Sequence, residues 1–210
     1  MSKFAILLGG DVTPTVRLKS QLQGARVIAA DSGMKHAVAL ELIPELWVGD
    51  FDSAGQALED THRDIPRHVF PAAKDATDGE IAVREAIAKR ATEIILVGAF
   101  GGQFDHALAH ATQLIGLAER GIKAFASSGS EEAWPLFNSL TLWQIAKGTR
   151  VSIIGLTALK ALSIIGVRWP LNKRDVPMGS TLTLSNESLG DVAITLEQGR
   201  AVVMIYPGVR

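Results

Sequence analysis

The chain has 210 residues, 47% hydrophobic and 20% charged, with 21 basic and 22 acidic side chains balancing to a net charge of −1. This is the composition of an ordinary globular protein, long enough for one large domain or two small ones. Near-neutral charge without a basic block argues against a nucleic-acid or anionic-membrane partner, and zero cysteines exclude disulfides, zinc–thiolate sites and thiol nucleophiles.

From the start, "MSKFAILLGGDV" offers only five consecutive apolar residues, too few for a signal-peptide core. No apolar run approaches the ~20 residues of a membrane span. A cytoplasmic location is the expectation. Strands are predicted at 4–8, 26–30, 46–49, 67–70, 94–98 and 122–126, with helices at 78–90 and 105–120 between the later ones. Continuous apolar strands alternating with helices predict a doubly wound parallel sheet covered on both faces. The polar, small-residue stretch 127–134, "SSGSEEAW", predicts a linker. Beyond it the period becomes two, in "RVSIIGL", "TLTLSN" (181–186), "VAITL" (192–196) and "RAVVMIY". Turn signals fall at Lys147-Gly148, Gly190-Asp191 and Gln198-Gly199. The expected fold is therefore an α/β domain over 1–128, followed by an all-β sandwich or barrel domain over 136–210.

The acids collect where the predicted strands end, which is where open parallel sheets bind ligands. Asp11 follows the first strand, Asp31 the second, Asp50 and Asp52 the third, Asp75 and Asp78 the fourth. Asp11 or Asp31 alone reads as a helix cap or turn residue. Asp50 and Asp52, two apart on extended backbone, point the same way. Thr77 and Glu80 fit a capping box that would orient the next loop. Several carboxylates around one crevice need a cation among them. Oxygen donors without cysteine favour Mg²⁺, which is normally held by a few carboxylates plus substrate phosphates.

The stretch 98–107, "GAFGGQFDHA", supplies a glycine-rich loop leading into a helix, suited to an anion. Asp105 alone reads as that helix's N-cap, and Lys74 is a candidate phosphate contact. His106 and His110, four apart, read as a helix face, since no third zinc ligand accompanies them. Neither a P-loop nor a Gly-x-Ser-x-Gly elbow occurs.

Taken in order, "GDFDS" (49–53), "KDATDGE" (74–80), "GAFGGQFDH" (98–106), "GVRWPL" (166–171) and "LSNE" (184–187) resemble the thiamine pyrophosphokinase family. The resemblance implies an α/β catalytic domain, a β-sandwich and a homodimer. The implied reaction moves pyrophosphate from ATP to the hydroxyl of thiamine, giving thiamine diphosphate and AMP. By it, Asp50, Asp52, Asp75 and Asp78 surround Mg²⁺-ATP. Lys74, Gly101, Gly102, Gln103, Asp105 and His106 lie on the nucleotide side. Trp169, Ser185 and Asn186 face thiamine, Trp169 offering a flat face to a heteroaromatic cation. Alone, Trp169 reads equally as core packing. Three positions depart from the family pattern: Gln103 replaces an Arg, His110 an Asn and Ser32 a Gly. Two rival readings are a Mg²⁺ phosphohydrolase of haloacid-dehalogenase type, suggested by Asp-x-Asp, and a non-catalytic module that binds nucleotide or thiamine.

Overall fold

The structure is a computed structural model describing residues 2–51, 55–70 and 75–208. Six short strands form its first half: β1 (Lys3–Leu7), β2 (Arg26–Ala30), β3 (Leu46–Gly49), β4 (Arg67–Val69), β5 (Glu93–Val97) and β6 (Lys123–Ser127). They pair in parallel in the order β4-β3-β2-β1-β5-β6. All but the edge strand β4, whose three residues are exposed, are largely buried on both faces, so those strands read as apolar runs.

Helices cover the two faces. On one lie α1 (Val16–Leu22) and a 3₁₀ turn, Asp31–His36, packed with Leu7, Trp47 and Val97. The short α2 (Gln56–Thr61) adds Leu58 to the same side. On the other lie α3 (Asp78–Ala88) and α4 (Phe104–Glu119), which cover Phe4, Ile6, Ile28 and Leu96. Each large side chain sealed here contributes roughly 1.5–3 kcal/mol. The Thr77 hydroxyl caps α3 by accepting from Glu80 N at 3.2 Å. The Glu80 carboxylate bonds Arg84 instead of completing the box.

The predicted linker is not one. β6 runs to Ser127, and β7 (Glu132–Leu136) turns back beside it antiparallel. The intervening turn is tight: Ser128 N donates to Glu131 O at 2.9 Å, and Gly129 takes φ +86°. A Cβ on Gly129 would meet Thr13 O at 1.9 Å. The hydrogen-bonded ladder therefore continues from the α/β half into the β half.

Six further strands follow: β8 (Ser139–Leu142), β9 (Arg150–Gly155), β10 (Leu159–Val167), β11 (Leu171–Val176), β12 (Asn186–Thr195) and β13 (Ala201–Tyr206). β13 lies between β7 and β9, all antiparallel. β12 begins on β9 at Asn186 and Glu187, then pairs with β10 and β8. Gly190-Asp191 is thus not a turn but the interior of β12, near where it changes partners. "TLTLSN" is the reverse case. Its period of two predicts a strand, but 182–185 form turns, with Thr183 buried and held to Ile153 through Thr183 Oγ1→Ile153 O at 2.6 Å. Leu136, Val151, Leu162, Ile194 and Val203 join in one core across these strands. No helix among the described residues is long and apolar enough to cross a membrane.

Candidate active site

The chain adds β2, β3 and β4 outward from β1, then returns across it to place β5 on the other side. The switch point lies between β1 and β5. There the loops after both strands part, and a crevice forms at the carboxyl ends. The two loops are zipped by backbone bonds: Leu8 N→Val97 O at 2.8 Å, Gly10 N→Gly98 O at 3.0 Å and Asp11 N→Phe100 O at 2.8 Å. Glycine is required at this seam. A Cβ on Gly10 would meet Phe100 O at 2.2 Å, and one on Gly98, whose φ is +75°, would meet Leu8 O at 2.6 Å.

The crevice measures about 880 Å³. Asp50, Asp75, Asp78, Gly101, Gly102, Gln103 and His106 all line it, so seven of the sequence-selected residues converge there. Asp52 and Lys74 lie outside the described residues. Asp105 does not line this crevice. It stands in the first turn of α4, where its Oδ1 accepts its neighbour's His106 N–H at 2.9 Å, and it faces the adjoining groove between α3 and α4. Nor is it the N-cap, a place taken by Gln103.

Several further residues line the crevice, among them Asp31, Glu80 and His110, which by sequence read as a turn, a capping-box and a helix-face residue. Asp31 ends β2 at φ +44°, its carbonyl fixed by Trp47 Nε1 at 2.9 Å. Glu80, Gly9, Gly10, Ser32 and His110 also line the crevice. The available signal was position: Asp31 follows its strand as Asp50 follows β3. Among the described residues, no three His, Asp or Glu side chains are gathered tightly enough to form a ready-made metal cage. The carboxylates stand around the crevice instead, as suits a cation completed by a ligand's own oxygens.

Two imidazoles are held below their ordinary range. Burial lowers His110, opposed by a hydrogen bond with Gln113, and nearby His106 lowers it further. Burial also lowers His36, opposed by its bond to Gly10 O at 2.8 Å.

Trp169, Ser185 and Asn186 converge on a second cavity of about 400 Å³ in the β half, walled by Ile153, Ile164, Leu171, Leu182 and Leu184. Trp169 is 56% exposed, which removes the core-packing reading. Its backbone is clamped by Asn186: Trp169 N→Asn186 Oδ1 at 3.2 Å and Asn186 Nδ2→Trp169 O at 2.8 Å. Asn186 therefore sets the tryptophan's place, its amide being engaged on both sides. Ser185 adopts φ +58° and is fixed by Ser185 N→Ser152 Oγ at 2.9 Å. Among the described residues, the two cavities share no lining residue.

Comparison with known proteins agrees with this division. The family description "Thiamin pyrophosphokinase, catalytic domain" matches residues 19–126, and "Thiamin pyrophosphokinase, vitamin B1 binding domain" matches residues 139–201. The chain is 29% identical over 168 residues to a thiamine pyrophosphokinase of Bacillus subtilis (strain 168), covering 76% of this chain and 77% of that one. In fold it is similar to the crystal structure of thiamine pyrophosphokinase from Bacillus subtilis, with TM-score 0.86, 23% identity, and 98% and 99% of the two chains covered. It is also similar to thiamin pyrophosphokinase from Candida albicans, with TM-score 0.81, 15% identity, and 99% and 89% covered. With catalytic and vitamin-binding parts both matched in order, the chain belongs to the thiamin pyrophosphokinase family.

Proposed function

We propose that the chain transfers pyrophosphate from Mg²⁺-ATP to the hydroxyl of thiamine, with the α/β part (1–128) holding the nucleotide and the β part (136–210) holding thiamine. The observation that carries this reading is the crevice at the switch point, where Asp50, Asp75 and Asp78 face the glycine loop 98–103. Oxygen donors without sulfur fit a hard divalent cation. Asp50, Asp75 and Asp78, with Asp52 beside them in sequence, are the residues that would hold it. When bound, Mg²⁺ supplies charge neutralisation on the transferring phosphates.

The chain's own contribution is positioning. Left-handed Gly98, Gly101 and Gly102 let the loop approach phosphate oxygens without a Cβ in the way. The helix start at Gln103 and Phe104 turns free N–H groups toward negative charge. The thiamine hydroxyl oxygen attacks the β-phosphorus in line. The bond from that phosphorus to the oxygen shared with the α-phosphorus breaks, leaving AMP, and a crevice carboxylate takes the hydroxyl proton. In the β part, the Trp169 face would stack on the thiamine cation, a contact of ~0.5–2 kcal/mol. Asn186 holds the ring's backbone and Ser185 lines the same wall.

Because the two cavities share no lining residue among those described, we infer a homodimer in which each β part completes the partner's crevice. The test is a product assay with ATP, Mg²⁺ and thiamine. AMP and thiamine diphosphate should appear in equal amounts, and only with thiamine present. Inorganic phosphate released from ATP alone would instead favour the phosphohydrolase. Binding of both ligands without product would favour the non-catalytic module.

A further inference from the structure

Among the described residues, the lining of the crevice carries negative but no positive side chains. Five carboxylates, those of Asp31, Asp50, Asp75, Asp78 and Glu80, line it, while no Lys or Arg does so among the described residues. Gln103, at the head of α4 where a phosphate would sit, is neutral. A divalent cation offsets part of a polyphosphate's charge, and the remainder calls for cations from the chain, of which Lys74 is one candidate by sequence.

Lys35 is not part of the lining but is bonded to it through Gly9. It lies in the last turn of the 3₁₀ segment, one residue before its end, its side chain is exposed, and it forms no ion pair among the described residues. Its Nζ donates to Gly9 O at 2.6 Å, and Gly9 lines the crevice. The next residue, His36, bonds Gly10 O at 2.8 Å. Consecutive side chains thus hold consecutive glycine carbonyls, and Gly10 N in turn holds Gly98 O at 3.0 Å. An ammonium has three donors. One fixes Lys35 to the loop, and two are left to meet an anion.

We propose that Lys35 is a substrate-binding residue that donates to the polyphosphate of the nucleotide, supplying the charge that Gln103 does not. This rests on the pyrophosphokinase reading, but its test does not need thiamine. Calorimetry with Mg²⁺-tripolyphosphate, on wild type, Lys35→Met, Lys35→Arg and the double variant Lys35→Met/Gln103→Arg, reads the contact directly. A charge-assisted hydrogen bond predicts about a ten- to hundredfold loss of affinity in Lys35→Met. Most of the affinity should be kept in Lys35→Arg and regained in the double variant, all at an unchanged melting temperature. In turnover, KM for ATP should rise while KM for thiamine stays the same. Wild-type affinity in Lys35→Met overturns the proposal. So does a loss accompanied by a lower melting temperature and no recovery in the double variant, which would make Lys35 a brace for the Gly9 loop only. A wild type that binds tripolyphosphate but forms no thiamine diphosphate would sink the reaction assigned above and leave Lys35 standing.

Discussion

Arg17 and Glu132 form an ion pair that bolts α1 to β7, a half-buried guanidinium against a buried carboxylate, with Arg17 Nε 2.6 Å from Glu132 Oε1 and Nη2 3.2 Å from Oε2. The carboxylate is 1% exposed. Gln21 Nε2 and Trp134 Nε1 complete its shell at 2.8 and 2.9 Å, and the Trp134 ring stacks on Phe125 at 4.1 Å. A carboxylate with four donors tolerates burial, and one that loses its cation does not. We expect Arg17→Met to cost about 3–5 kcal/mol, read as a lower urea midpoint at unchanged slope. Arg17 lies away from both cavities, so at low temperature the folded fraction should keep wild-type KM values. A loss below about 1 kcal/mol would show that the pair adds little beyond packing.

Gly10→Ala tests the seam between the β1 and β5 loops. The new Cβ would lie 2.2 Å from Phe100 O and 2.5 Å from Gly98 O, both backbone, so the loops must separate. If the proposed phosphate site lies at this seam, a displacement of this kind predicts about a hundredfold loss of turnover. The overpacking should cost only about 1–3 kcal/mol. Gly24→Ala is the matched control: φ is +71° but no atom lies within 4 Å of its Cβ. It should lose roughly 1–2 kcal/mol from left-handed strain with turnover intact. Equal turnover in the two variants would remove the seam from the mechanism.

The same geometry explains what the sequence made legible. Parallel strands buried on both faces write themselves as apolar runs, so β2 and β3 were located to the residue and the rest within a residue or so. Asp50, Asp75 and Asp78 were legible because ligands collect at strand ends. The Ser127–Trp134 stretch misled because its polarity is answered far away in sequence. Glu132 is sealed by Arg17 and Gln21, 115 and 111 residues upstream, and no local pattern records that. "TLTLSN" alternates because Thr183 turns inward to bond Ile153 O, not because it pairs in a ladder. Asn186 was picked out by sequence and lines the second cavity, but that its amide is spent on the Trp169 backbone becomes visible only in the fold.

His110 gives a pH prediction of definite sign. Burial holds its folded-state pKa below the ordinary value of 6.5, with His106 lowering it further. The unfolded chain then binds the proton more readily, so stability rises with pH through this window. The contribution is complete above about 6.5 and is lost as pH falls through the folded value. His110→Gln cannot titrate. Its unfolding free energy, measured from pH 5 to 7.5, should therefore show a flatter slope than wild type on the acid side. Parallel curves would mean that the imidazole is solvated in the folded chain.

The separation of the two cavities makes the dimer testable by activity alone. Asp50 lines the crevice of the α/β half and Trp169 the apolar cavity of the β half, and among the described residues neither cavity borrows one from the other. Asp50→Asn removes a carboxylate charge from the crevice. Trp169→Ala removes a face that is 56% exposed, so neither change should unfold the chain. Each protein should be inactive at low thiamine. If every working site joins one chain's crevice to the partner's cavity, a mixed dimer holds one site with both defects and one with neither. Random reassortment makes roughly half of the dimers mixed, so about a quarter of wild-type activity should return on co-refolding. Recovery should track the mixed fraction, separable by a charge tag on one chain. If mixed dimers are present in that fraction and activity stays at the level of the single variants, each site is built within one chain.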